Sequence, residues 1–473
     1  MKTTRWRHST RWPARVLAGI LFASVLSGCG GSAVTGGGTT AVTVTIGGGG
    51  AAAAPAAASS RATPRPLAAT IPPTVSSMRF TISGAGMDNI VQTFPVTGTT
   101  MVVTLQVPSG PARTVLVEAL DSGDPPVIPP RSHFRGVTVI DAVGGSLAVT
   151  IAMYVDPSSP ALRTWTAFAD TVSTSATLNR VTQGDGIVLA AGTSGEILSS
   201  TDGMNWTSRT PGNISGNISA LTFGDNTFLA MTSGFVGTFY PGYWNNHFFA
   251  ATSDNVAGWT IRGSVGGTGS PLSDIAFGGG VFVAVGDNNA FHSQDNGATW
   301  FPGTISGVSR LSGVAYGNGR FVAPDATSDN VAVSVDGIHW TTAAIGLASP
   351  ETPRRIGFGG GLFLLTTSSG YVYTSPDGVS WLQRRTRFAD LTGLDTSVSR
   401  VAYGAEAFLI ITASPAQVYF SVDSGDTWVA LDPFGAGSGY YLEDILYWNG
   451  AYIGVGGDYV YPAFGHVFRS GDL

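Results

Sequence analysis

Three arginines occupy one position of a repeated pattern. Over the second two-thirds of the chain a short apolar motif recurs. The residue just before it reads Arg180, Ala220, Asp274, Gly313, Arg355, Arg400 and Asp444, with Arg354 and Glu443 beside two of them. Guanidinium forks brought to one place can hold a carboxylate or phosphate through paired hydrogen bonds. The same arginines could instead pair with Asp274, Glu443 and Asp444. A second row of acids comprises Asp202, Asp295, Asp336, Asp377 and Asp423, each two residues after a Ser and shortly before a Gly and a Trp. Such a row invites acid–base chemistry. An Asp in that setting, however, accepts backbone N–H bonds inside a turn whose Gly takes φ > 0, which is a structural role. Aromatic residues crowd two further segments, 235–249 with Phe239, Tyr240, Tyr243, Trp244 and His247, and 458–466 with Tyr459, Tyr461 and Phe464. Exposed rings there would stack on sugars or anchor a protein partner.

The elements that must position these residues are strands. The repeated motif pairs small apolar and aromatic residues before Gly: Leu221-Thr222-Phe223-Gly224, Ile275-Ala276-Phe277-Gly278, Val314-Ala315-Tyr316-Gly317, Ile356-Gly357-Phe358-Gly359 and Val401-Ala402-Tyr403-Gly404, with Val181 and Ile445-Leu446-Tyr447 at the two ends. Successive starts lie 40, 54, 39, 42, 45 and 44 residues apart. A second apolar strand follows each motif, and a third runs into the Ser-x-Asp turn and a Trp. A four-stranded period near 44 specifies propeller blades, each unable to bury its faces except against its neighbours. The expected fold is all-β, a seven-bladed propeller over 163–473. The seventh unit stops before its Trp, so Thr164-Trp165-Thr166 is expected to supply its outer strand.

The five turns, such as Ser200-Thr201-Asp202-Gly203-Met204-Asn205-Trp206 and Ser334-Val335-Asp336-Gly337-Ile338-His339-Trp340, resemble the Asp-box, or BNR, repeat of sialidase-like propellers, with Ser253-Asp254 and Trp259 a degenerate sixth. The resemblance implies that the turns lie on the outer, non-catalytic side. Catalytic sialidases add an Arg-Ile-Pro motif, a Tyr–Glu nucleophile pair and an acid Asp. The corresponding string here is Arg354-Arg355-Ile356-Gly357, without the proline and in the fifth unit, and the chain has only five glutamates. Asp-box propellers of the photosystem assembly-factor type are similar and non-enzymatic, and use an arginine patch to hold partner proteins. The resemblance therefore implies a binding propeller, with a sialidase-like hydrolase as the alternative.

Ahead of the repeats, residues 77–156 show six alternating or β-branched runs separated by Gly, Pro, Asp and Asn. These specify a small immunoglobulin-like sandwich with no candidate chemistry. Residues 29–76 are dominated by Gly, Ala, Thr, Ser and Pro, and read as a flexible tether. Residues 1–28 carry a basic head and a short apolar run ending in Leu26-Ser27-Gly28-Cys29, which resembles the lipobox of bacterial lipoproteins. That resemblance implies acylation of Cys29, a membrane attached through its lipid, and an outer-membrane address in the cell envelope. Removal of the head takes away 5 of 24 basic residues, leaving 19 against 30 acidic, a formal −11. Such a surface disfavours nucleic acid. One cysteine excludes an intrachain disulfide, and the five remaining histidines are too scattered to suggest a metal site. The expected protein is a non-enzymatic monomer without cofactor or metal, binding a glycan or an envelope protein.

Overall fold

A computed structural model describes residues 39–46 and 75–471, except 85, 99–100, 121–131, 143, 151–153, 156–158, 160–161, 163–164, 169–175, 213, 215, 237–242, 269–271, 349, 385–397, 413–416, 436–437 and 460–463. It describes backbone alone at 132–139, 150, 154–155, 233–236, 243–245 and 266–268. Seven four-stranded antiparallel sheets follow one another along the chain. Their innermost strands are Leu178–Gly184, Ile218–Gly224, Asp274–Gly278, Ala315–Gly317, Pro353–Gly359, Val398–Gly404 and Tyr440–Trp448, which define blades 1 to 7. Second strands such as Val281–Gly286 are buried at every residue, because a blade lies on each face. That explains their unbroken apolar runs in place of alternation.

The aromatic–Gly pair of the repeat locks each blade to the next. A Cβ added to Gly184 would lie 2.2 Å from the ring of Phe223 in the following blade. Gly224, Gly278, Gly317, Gly359 and Gly404 meet Phe277, Tyr316, Phe358, Tyr403 and Tyr447 in the same way. Each ring also rests on an aromatic of its own second strand, from Phe223–Phe228 at 4.6 Å to Tyr447–Tyr452 at 5.1 Å. The seam between blades 7 and 1 departs from this rule. Trp448 replaces the Gly and Gln183 replaces the ring, so the bulky partner now belongs to the earlier blade. Trp448 packs in one apolar cluster with Val181, Val188 and Trp206 of blade 1.

The Ser-x-Asp turns use their carboxylates locally. Asp202 Oδ1 accepts the N–H groups of Met204 and Asn205 at 2.8 and 2.7 Å, and Ser200 Oγ accepts that of Gly203 at 2.8 Å. Asp336 and Asp377 repeat this geometry, while Asp295 and Asp423 accept from Thr299 and Thr427 one residue further on. The Trp indole donates to the Gly carbonyl in all five turns. These bonds, led by the Asn205 amide, hold the Asp202 carboxyl well below the usual range.

The ring closes as the truncated seventh unit requires. Trp165–Ala167 pairs antiparallel with Gly465–Ser470 as the outer strand of blade 7, and the Trp165 ring stacks on Tyr452 at 6.5 Å. Before the propeller lies a sandwich. Its five-stranded sheet has the order Ile90–Pro95, Ser77–Ser83, Gly110–Leu120, Ser132–Ala142, Tyr154–Val155. Its three-stranded sheet places Thr39–Ile46 between Met101–Pro108 and Gly145–Thr150. This corrects the tether expected over 29–76. The stretch TTAVTVTI alternates strictly, with Val42, Val44 and Ile46 buried in the sandwich core. Its small-residue composition matches the flanking low-complexity sequence and conceals a period of two. One continuous apolar cluster joins Val42, Phe80 and Val117 of the sandwich to Ala405, Leu409 and Trp165 of the propeller. Cys29 and Tyr461 lie outside the described residues.

Candidate functional site

The innermost strands of blades 1, 2, 5, 6 and 7 share an irregularity. Their register slips between Leu178 and Arg180, Ile218 and Ala220, Pro353 and Arg355, Val398 and Arg400, and Leu442 and Asp444. A bulge re-aims side chains by inserting one unpaired residue. Here it falls directly before the position where the sequence places its arginines. That position is also the end of the strand at which the second-to-third-strand connections emerge, so it belongs to the mouth of the ring.

Arg400 is consumed there by two carboxylates. Its Nε lies 3.1 Å from Asp444 Oδ1 and its Nη1 lies 3.6 Å from Asp274 Oδ2. Blades 6, 7 and 3 are thereby tied across the channel, and Asp444, ahead of Asp274, holds the guanidinium above its ordinary range. Both aspartates also accept from the next blade: Asp444 from the Val181 N–H at 3.2 Å, Asp274 from the Val314 N–H at 3.3 Å. Arg355 makes the reciprocal contact, its Nε donating to the Ser399 carbonyl at 3.0 Å. The position is therefore a rung between blades as well as a rim of the mouth. Arg400, Asp274 and Asp444 form one structural network, which is the pairing that the sequence leaves open as the alternative to ligand contacts.

Arg180 and Arg355 have no carboxylate partner among the described residues. Arg180 Nη1 donates to the Asn179 carbonyl at 2.6 Å, while its Nε is buried with no partner, as is Asn179 Oδ1. Arg355 Nη1 donates to the Arg354 carbonyl at 3.2 Å. Burial, then the nearby Arg400 charge, pushes both guanidinium groups below their usual range. Both remain charged, since a guanidinium does not lose its proton in proteins. Glu443 shares this field. Burial pushes its carboxyl up, Asp444 adds to that, and Arg180 and Arg355 oppose it. Asn179 is the site residue that sequence spacing does not single out; Glu443 is visible there as a neighbour of Asp444 and a candidate arginine partner.

The aromatic rim is best defined at blade 7. Tyr459 is 60% exposed, and its ring lies 5.1 Å from Tyr441 on the innermost strand. Its N–H is fixed by the Gly439 carbonyl. Asp458 accepts from the Phe464 N–H at 3.2 Å and lies 3.0 Å from His466 Nε2, so both ends of the 458–466 connection are clamped. The enlarged connection expected around 235–249 is largely strand. Thr227–Val236 and Tyr243–Thr252 pair over ten residues, with Trp244 opposite Phe235 and Tyr243 opposite Val236. Tyr243 and Trp244 thus stand at the tip of an extended ribbon of blade 2. A Tyr–Glu hydrogen bond does occur: the Tyr403 hydroxyl donates to Glu406 Oε2 at 2.8 Å. Glu406 follows the far end of the strand Val398–Gly404 that carries Arg400, more than about 13 Å away at about 3.3 Å per residue. It is not beside the arginines.

No family model matches the chain, and no curated protein matches it. Among solved structures, a streptogramin B lyase aligns with a TM-score of 0.51 at 9% identity, covering 66% of this chain and 99% of the lyase. YCF48 bound to a D1 peptide aligns with a TM-score of 0.47 at 13% identity, covering 67% of this chain and all of YCF48. YCF48 from Cyanidioschyzon merolae gives 0.47 at 14%, covering 65% of this chain and 98% of that one. The chain is a β-propeller protein. At these identities the likeness speaks for the fold and leaves the ligand to the site itself.

Proposed function

We propose that this chain is a non-enzymatic cell-envelope lipoprotein whose propeller mouth binds an anionic group on a glycan or protein partner. One observation carries the reading. Arg400 takes both ring aspartates, so Arg180 and Arg355 are left half-buried without a carboxylate partner among the described residues. A recessed positive charge with an unused donor favours an anion, and a charge-assisted hydrogen bond contributes about 1.5–3 kcal/mol. The sialidase-like alternative needs a Tyr–Glu hydrogen bond beside the arginines; Tyr441 stands two residues from Glu443 there without such a bond among the described residues, and the Tyr403–Glu406 pair stands at the opposite end of its strand. A screen of glycans and envelope-derived peptides against the full chain tests the reading. Acidic binders that compete with one another for a single site are expected. A profile made up of neutral ligands would overturn it.

The cellular address rests on the Leu26-Ser27-Gly28-Cys29 string. With a lipid on Cys29, the sandwich and propeller would be held at the outer membrane. Cys29→Ser should shift the protein from the detergent-soluble membrane fraction to the soluble fraction. Retention with membranes would refute lipid anchoring.

A further inference from the structure

The groups that remain unpaired at the mouth carry both signs of charge. Arg180 and Arg355 present guanidinium groups. Glu443, next to Asp444 at the bulge of blade 7, presents a carboxyl group that has no hydrogen-bond or ion-pair partner among the described residues. Glu443 adjoins Asp444, whose Oδ2 accepts the Val181 N–H next to Arg180, so the acid and this guanidinium share the seam between blades 7 and 1. The arginines are tied to backbone carbonyls, Arg180 to that of Asn179 and Arg355 to those of Ser399 and Arg354, and no ion pair joins either to Glu443 among the described residues. Two buried atoms without partners repeat the pattern in miniature: Arg180 Nε is a donor and Asn179 Oδ1 an acceptor.

We propose that the mouth selects a zwitterion, a small molecule or chain end bearing a carboxylate beside an ammonium group. Arg180 and Arg355 hold the carboxylate, and Glu443 receives the ammonium. This rests on the anion-binding reading above and adds which anions are preferred. A plain carboxylate set between the two arginines also stands beside Glu443 and is repelled by it. An adjacent ammonium removes that repulsion and satisfies the unpaired carboxyl.

The pH dependence has opposite signs for the two ligand types. The charges that act on Glu443 are those of Asp444 on its own strand, Arg180 on blade 1 and Arg355 on blade 5, with Tyr441 two residues before it. Burial favours its protonated form. Protonating Glu443 on lowering the pH should therefore strengthen binding of a plain carboxylate and weaken binding of a zwitterion.

The test uses three matched probes titrated into the full chain: phenylalanine, 3-phenylpropionate and phenethylamine. Phenylalanine should bind at least about tenfold more tightly than either single-charge analogue. Glu443→Gln, which keeps shape and removes charge, should weaken phenylalanine, strengthen 3-phenylpropionate and bring their ratio close to one. Equal wild-type affinities for phenylalanine and 3-phenylpropionate would overturn the proposal, even if the variant fails to fold. So would a ratio unchanged in a folded Glu443→Gln. If 3-phenylpropionate matches phenylalanine but loses affinity in Arg180→Ala, zwitterion selection is wrong and the anion site stands. If Arg180→Ala alters neither acid, the anion site itself is wrong.

Discussion

Arg180, Arg355 and Arg400 occupy one sequence position yet have different fates. Arg400 bridges Asp444, which is almost fully buried, and Asp274. Removing one partner of such a network leaves buried carboxylates uncompensated, a cost of about 3–5 kcal/mol when the pair is deep. Arg400→Ala should therefore lower stability by about 3 kcal/mol in chemical denaturation, while Arg355→Ala, which leaves no carboxylate stranded, should cost much less. Equal losses would show that Arg400 is not the structural hub. The shared position was legible in the sequence, because period and motif fix it. The pairing was not, because it depends on reach across the channel, between blades 6 and 3, that no local spacing encodes. The Ser-x-Asp aspartates were legible down to their hydrogen bonds, since every partner lies within four residues.

At the scale of elements, the blade repeat explains why Gly follows an aromatic in the innermost strand. The ring of one blade occupies the space a side chain would need in the blade before it. Gly184→Ala places a methyl group 2.2 Å from the Phe223 ring, which is itself pinned on Phe228 at 4.6 Å. Overpacking of this kind costs about 1–3 kcal/mol. A melting temperature several degrees lower is expected, and an unchanged one would show that the interface is loose. Blade strands were readable because their apolar runs, turns and period agree with one another. Two features were not. The bulges at the mouth leave no mark on composition, and Thr39–Ile46 is hidden by the small residues around it. The strand matters in practice, since a fragment beginning at residue 77 would lack the central strand of a three-stranded sheet.

At the scale of the whole molecule, closure turns seven local motifs into one site. The outer strand Trp165–Ala167 completes blade 7, and the blade 7–1 seam places Asp444 on the Val181 N–H, beside Arg180. Sandwich and propeller share one apolar cluster through blades 6 and 7, so the mouth is carried on a continuous core. Under the proposed function the mouth holds an anion through Arg180 and Arg355. Its most direct measurement is calorimetric titration of an acidic ligand into the wild-type chain and the Arg180→Ala/Arg355→Ala double variant, with Arg400 and its aspartates intact. Saturable binding to one site is expected in the wild type. Each arginine contributes about 1.5–3 kcal/mol, so a folded double variant should bind at least about a hundredfold more weakly. Unchanged affinity in a folded double variant would contradict the account.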